Sequence, residues 1–162
     1  MFAAGTQNAT VISNGATPTS PPPDYTQRTD EYNGTAWAQG NNSSQPAANS
    51  LSSAGTLTAS LMAGGFRGPA GRTNFVEAYD GTSWSAKASL STERRSGAAG
   101  GQTPSAATIF FGGRDGGSDQ SITEEFTQSS DVITAAAWSS GGSLNTGRYF
   151  LGGTGTQTAG LA

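Results

Sequence analysis

The chain has 162 residues, 24 of them glycine, and only 12% are charged, with Ala, Ser and Thr filling much of the remainder. Helix formers such as Leu, Glu and Lys are scarce, which argues against a helical bundle and for many short strands joined by small-residue turns. A net charge of −3, from 8 Lys and Arg against 11 Asp and Glu, cannot line a phosphate backbone, so no nucleic-acid partner is expected. Cys and His are both absent, which removes disulfides, thiolate chemistry and the commonest metal ligand, and no cofactor or metal is expected. No stretch of eighteen apolar residues occurs, and Met1-Phe2-Ala3-Ala4-Gly5 lacks the basic start of a signal peptide; neither membrane insertion nor general secretory export is expected.

In chain order the sequence reads as a single repeat domain over 1–162, with units at 5–54, 55–100 and 101–154 and an incomplete fourth at 155–162. Glycine-led segments open the units: Gly5-Thr6-Gln7-Asn8, Gly55-Thr56-Leu57-Thr58, Gly101-Gln102-Thr103-Pro104 and Gly155-Thr156-Gln157-Thr158. Each of the first three runs into a short apolar stretch that ends in a glycine turn. The stretches are Ala9-Thr10-Val11-Ile12 before Gly15, Ala59 to Ala63 before Gly64-Gly65, and Ala107 to Phe111 before Gly112-Gly113. Their length and glycine boundaries predict buried strands, read here as the inner strands of small sheets.

Variable polar loops follow, over Ala16 to Thr29, Phe66 to Asn74 and Arg114 to Thr123. Then come Asp30-Glu31-Tyr32-Asn33-Gly34-Thr35-Ala36-Trp37 and Glu77-Ala78-Tyr79-Asp80-Gly81-Thr82-Ser83-Trp84. Asn-Gly and Asp-Gly tolerate positive φ, so Gly34 and Gly81 predict hairpins with Tyr32 facing Trp37 and Tyr79 facing Trp84. Unit three keeps Glu124 and Phe126 but separates them from Trp138 by a longer insertion. Units two and three close on Leu90 to Arg94 and Leu144 to Arg148, whereas the corresponding Ser43 to Asn49 of unit one lacks both Leu and Arg.

An apolar strand ending in Gly-Gly, an acidic residue two before an aromatic, a Trp, then Leu and Arg, resembles the kelch repeat. Unit two carries it in Leu61 to Gly65, Glu77, Tyr79, Trp84, Leu90 and Arg94; unit three carries it in Phe110 to Gly113, Glu124, Phe126, Trp138, Leu144 and Arg148. The resemblance implies an all-β fold of kelch-like β-propeller blades: about three four-stranded antiparallel sheets, partial or completed by an oligomer. The Gly-Gly pair would follow the second strand, and the Tyr and Trp segments would form the third and fourth. Tyr32, Trp37, Tyr79, Trp84, Phe126 and Trp138 are expected to pack between blades. Asp30, Glu77 and Glu124, each once per repeat beside a turn, are expected to have structural polar roles, and Arg94 and Arg148 to bond to a backbone carbonyl or to an acidic residue of an adjacent blade. Asp115, Asp119 and Glu124 are hard oxygen donors close in sequence, but their spacing matches no calcium loop.

The Gly, Ser and Thr-rich phrasing is also similar to repeats in tailed-phage fibre and appendage proteins. That similarity implies a non-enzymatic display protein of the virion or extracellular surface, a homo-oligomer or partner of other virion proteins, with host attachment through its variable loops. Two alternatives stand beside it: a kelch-type protein-binding adaptor and a glycan-binding appendage. The adaptor would bind a protein peptide at the face of a closed ring, whereas the display and appendage readings expect a host-surface glycan or protein as ligand, with the variable loops carrying recognition.

Overall fold

The computed structural model describes residues 1–17, 24–44, 51–101, 107–128, 137–147, 149–156 and 159–161. Three four-stranded antiparallel sheets follow one another along the chain, each a simple meander. The first holds β1 (Phe2–Thr6), β2 (Ala9–Thr17), β3 (Asp24–Tyr32) and β4 (Trp37–Gln39). The second holds β5 (Ser52–Thr56), β6 (Ala59–Ala63), β7 (Val76–Tyr79) and β8 (Trp84–Ala86). The third holds β9 (Ala98–Gly100), β10 (Ala107–Phe111), β11 (Thr123–Thr127) and β12 (Ala137–Ser140). A hairpin of β13 (Thr154–Thr156) and β14 (Ala159–Leu161) follows.

First strands gather side by side, β1 against β5, β5 against β9 and β9 against β13, as in the blades of a partial, unclosed propeller. They line an axial cleft of about 450 Å³ whose walls include Ala3, Gly5, Ser53, Gly55, Ala99 and Gly153. Small residues are required there because neighbouring backbones converge. The apolar stretches form β2, β6 and β10, second strands flanked on both sides as expected of inner strands followed by the glycine pair, and the axial positions belong to β1, β5 and β9. The reason is burial. A strand paired on both edges and covered on its faces takes the bulkiest apolar run, while the axial strands, beyond Phe2 at the start of β1, carry only Ala, Gly, Ser and Thr.

The Gly5 and Gly55 segments therefore lie at the ends of first strands, where each chain turns back into the second. The Ala16 to Thr29 loop is corrected, because β2 and β3 pair beyond the irregularity at Asn14, joining Gly15 to Thr26 and Ala16 to Tyr25. The hairpins are present, with Tyr32 opposite Trp37 and Tyr79 opposite Trp84. Each turn is a four-residue loop rather than a two-residue one: Asn33 Oδ1 accepts the N–H groups of Thr35 and Ala36 at 3.0 Å. Asp80 Oδ1 accepts those of Thr82 and Ser83 at 2.8 and 2.7 Å. A side chain that satisfies two turn amides lets the loop lengthen.

The apolar core sits between sheets rather than within one. Phe2, Val11, Met62 and Tyr79 join the first sheet to the second. Leu61, Val76, Leu90, Phe110 and Phe126 join the second to the third. Each such side chain contributes about 1.5–3 kcal/mol by leaving water. A lone sheet would expose one of these faces, so stability arises at the joints.

Candidate functional site

The joints account for most of the polar residues singled out above. Between the second and third sheets, the fully buried Arg94 pairs with Glu124 and donates to the carbonyls of Gly112 and Ile122 at 3.0 and 3.2 Å. Its guanidinium lies 4.6 Å from the Phe110 ring centroid, and Ser91 N–H donates to Glu124 Oε2 at 2.9 Å. Between the first and second sheets the same position is Glu77, also fully buried. It accepts from the N–H of Ser44 at 3.2 Å and from the Ser44 hydroxyl, while its Oε2 has no hydrogen-bond partner among the described residues. Burial without a cation pushes the Glu77 carboxyl above the usual carboxylate range. Asp30, in the corresponding place of the first sheet, instead pairs with Arg28 at 2.7 Å.

Aromatic residues divide by position. Trp84 packs edge-on against Phe2 at 5.4 Å and donates its indole N–H to Thr29 Oγ1 at 3.0 Å. Tyr79 donates its hydroxyl to Glu31, a residue to which the sequence pattern assigns no role. Burial and the carboxylate raise the Tyr79 phenol far above its ordinary range, so it holds its proton and acts as a donor. Tyr32 stacks on Trp37 at 5.2 Å, and Trp37 is 53% exposed. Phe126 is fully buried and faces Trp138 across the ladder; the Trp138 side chain and Arg148 lie outside the described residues.

The glycines expected at turns occupy positive φ at Gly15, Gly34, Gly64, Gly65, Gly81, Gly112 and Gly113. Gly64 has a second constraint, since a Cβ there would stand 2.5 Å from the Arg94 carbonyl oxygen. The glycine thus admits the chain that carries the buried arginine.

What the joints do not use collects on one set of loops. These leave the second strands at 66–73 and 114–120 and close the second and third units at 89–96 and 143–150. Arg95 and Arg114 face each other in an antiparallel bridge, exchanging backbone bonds of 3.1 and 2.8 Å. The Arg95 guanidinium lies over Phe66 at 4.7 Å and that of Arg114 over Tyr149 at 5.5 Å. Tyr149 and Phe150 contact each other at 4.9 Å and are 44% and 75% exposed. Phe150 donates its N–H to the Ser96 carbonyl at 2.8 Å.

Ser96 and Phe150 are equivalent residues, each two positions after the arginine that closes its unit, and both have left-handed φ, 57° and 55°. A bulky side chain at such φ costs on the order of 1–3 kcal/mol, and at 75% exposure Phe150 recovers little of it through burial. Sequence reasoning misses Phe66, Arg72, Arg95, Tyr149 and Phe150. The available signal is Phe150 itself, an aromatic where the preceding unit has serine. Among the described residues no group of three or more acidic side chains is placed to hold a metal ion, and no helix is long and apolar enough to cross a membrane.

No family model and no curated protein matches the chain. Among solved structures 94 chains match. One is the structure of YjhT, with a TM-score of 0.66 at 16% identity over 80% of this chain. The match spans 42% of YjhT. This finding overturns the assignment as a non-enzymatic virion, fibre or tail component. The structural likeness lies with a propeller-type protein and lends no support to a phage role. Such folds carry catalytic and binding sites alike, so the expectation that the chain is not an enzyme does not follow from its architecture. What the likeness establishes is the fold alone: the chain is an all-β protein of propeller-like blades, similar in architecture to the structure of YjhT.

Proposed function

We propose that the chain is a kelch-like blade module that binds saccharides on the loop face bearing Tyr149 and Phe150. The observation that carries this reading is Phe150, an exposed aromatic held in a backbone conformation unfavourable to it, in contact with a second exposed ring, Tyr149, which carries the Arg114 guanidinium. Flat apolar rings flanked by forked donors suit the faces and hydroxyls of a sugar. The test is a glycan array probed with the chain and with Tyr149→Ala/Phe150→Ala. Binding to a defined set of saccharides that the double variant loses is the expected result. Absence of binding to any arrayed saccharide, or binding that survives the double substitution, overturns the reading.

A homo-oligomeric assembly is a second part of the proposal. It is favoured by Trp37, which is 53% exposed where its counterpart Trp84 is packed against the preceding sheet. Burial of that face by another copy predicts a native mass above one chain, and a reduction in it on Trp37→Ser.

A further inference from the structure

We infer that the ligand of this face is a carboxylate-bearing saccharide, held through Arg95, Arg114 and Arg72; the inference rests on the saccharide reading above. The chain as a whole is acidic, with a net charge of −3. The loops at 66–73, 93–96 and 114–120 invert that sign. Setting aside Arg94, which Glu124 neutralises, they carry Arg67, Arg72, Arg95 and Arg114 against Glu93, Asp115 and Asp119.

The arrangement of these cations is costly. Arg95 and Arg114 stand directly opposite in an antiparallel bridge, which places their side chains on one side about 5 Å apart at Cβ, where like charges repel. Arg114 is partly offset by Asp119 at 3.7 Å and donates to the Gly117 carbonyl at 2.9 Å. Arg95 has no hydrogen bond or ion pair from its side chain among the described residues, only the Phe66 ring beneath it. Arg72 donates to the Gly116 carbonyl at 2.9 Å, yet its buried Nε has no partner among the described residues. Arg72 and Arg114 thus bracket one turn, holding successive carbonyls, and Arg95 adjoins Arg114.

A planar carboxylate matches a guanidinium fork in two-point geometry. It would relieve the Arg95 and Arg114 repulsion at its source. The aromatic pair lies alongside, through Arg114 over Tyr149 and through the Phe150 N–H bond to Ser96, the residue after Arg95. A sugar ring stacked on Tyr149 and Phe150 therefore brings a carboxylate on its rim to these forks. The three guanidinium groups of Arg72, Arg95 and Arg114 are too few and too localised for a nucleic-acid backbone.

The test uses matched probes: uronate-containing oligosaccharides from polygalacturonate, alginate and hyaluronan, each beside its carboxyl-reduced neutral form, titrated calorimetrically into the whole chain. At least one acid form is expected to bind about tenfold or more tightly than its neutral counterpart, with a preference that shrinks as salt rises. Arg95→Gln/Arg114→Gln should abolish that preference, while Arg28→Gln, whose partner is Asp30 on another sheet, should leave it intact. If neutral and acid forms bind equally, or the preference ignores salt, this inference fails while the saccharide reading stands. If neither form of any probe binds and the array is also blank, the saccharide reading fails with it. The salt dependence of the unaltered chain decides between these outcomes even if the double variant does not fold.

Discussion

Replacing Arg94 with Met removes the cation from the second joint while keeping most of the side-chain volume. In the native chain the guanidinium is fully buried, holds two carbonyls and Glu124, and covers Phe110. Methionine leaves Glu124 held by the Ser91 N–H, a carboxylate buried without a countercharge. Breaking a buried pair from one side costs about 3–5 kcal/mol. For a chain of this size that corresponds to a fall in Tm of roughly 6–20 °C. Arg94→Met/Glu124→Leu removes the orphaned charge and should recover about 2 kcal/mol or more of the loss, because apolar replacement of both partners is far cheaper than deletion of one. Urea unfolding of the parent, the two single variants and the double variant closes the cycle. If Arg94→Met unfolds within about 1 kcal/mol of the parent, the pair does not hold the sheets together.

The first joint predicts a pH dependence of stability. The Glu77 carboxyl is raised in the folded chain, so the native state retains a proton that the unfolded state releases; stability should decline as pH rises from the ordinary carboxylate range through the raised value, and Glu77→Gln should flatten that decline in denaturant midpoints. Tyr79→Phe deletes the hydroxyl bond to Glu31 and should cost about 1.5–3 kcal/mol; because Tyr79 keeps its proton beyond the usual range, the phenolate absorbance gained near the ordinary tyrosine pKa, about 10, should be the same in the variant and the parent. Gly64→Ala combines a φ of 64° with a Cβ 2.5 Å from the Arg94 carbonyl oxygen and should cost more than about 1 kcal/mol in thermal unfolding.

The repeat was legible because its markers are local. An acidic residue two before an aromatic, a turn rich in Asn, Asp and Gly, and a tryptophan form one strand, one turn and the next strand, so Tyr79 and Trp84 could be paired from spacing alone. The ranking of strands from axis to rim was harder to read. The most apolar stretches look innermost, but β6 and β10 owe their composition to being covered on all sides, and the axial β5 and β9 look like linkers because convergence admits only small side chains.

The joints required three dimensions. Arg94 and Glu124 are thirty positions apart in sequence, and although Ser43 to Asn49 visibly lacks an arginine, only the Ser44 and Ser91 contacts set side by side show that Glu77 is the residue left without one. The loop face was hidden for a related reason. Arg95 follows a structurally occupied arginine, and only the bridge to Arg114 reveals that it points to a surface.

The central claim is tested most directly by an amide and side-chain NMR titration with an acidic oligosaccharide. Saturable shifts confined to Phe66, Arg72, Arg95, Arg114, Tyr149 and Phe150 are predicted, with the joint residues Glu77, Tyr79 and Trp84 undisturbed. Shifts centred on the axial cleft around Ala3, Ser53 and Ala99, with the loop face silent, would contradict it.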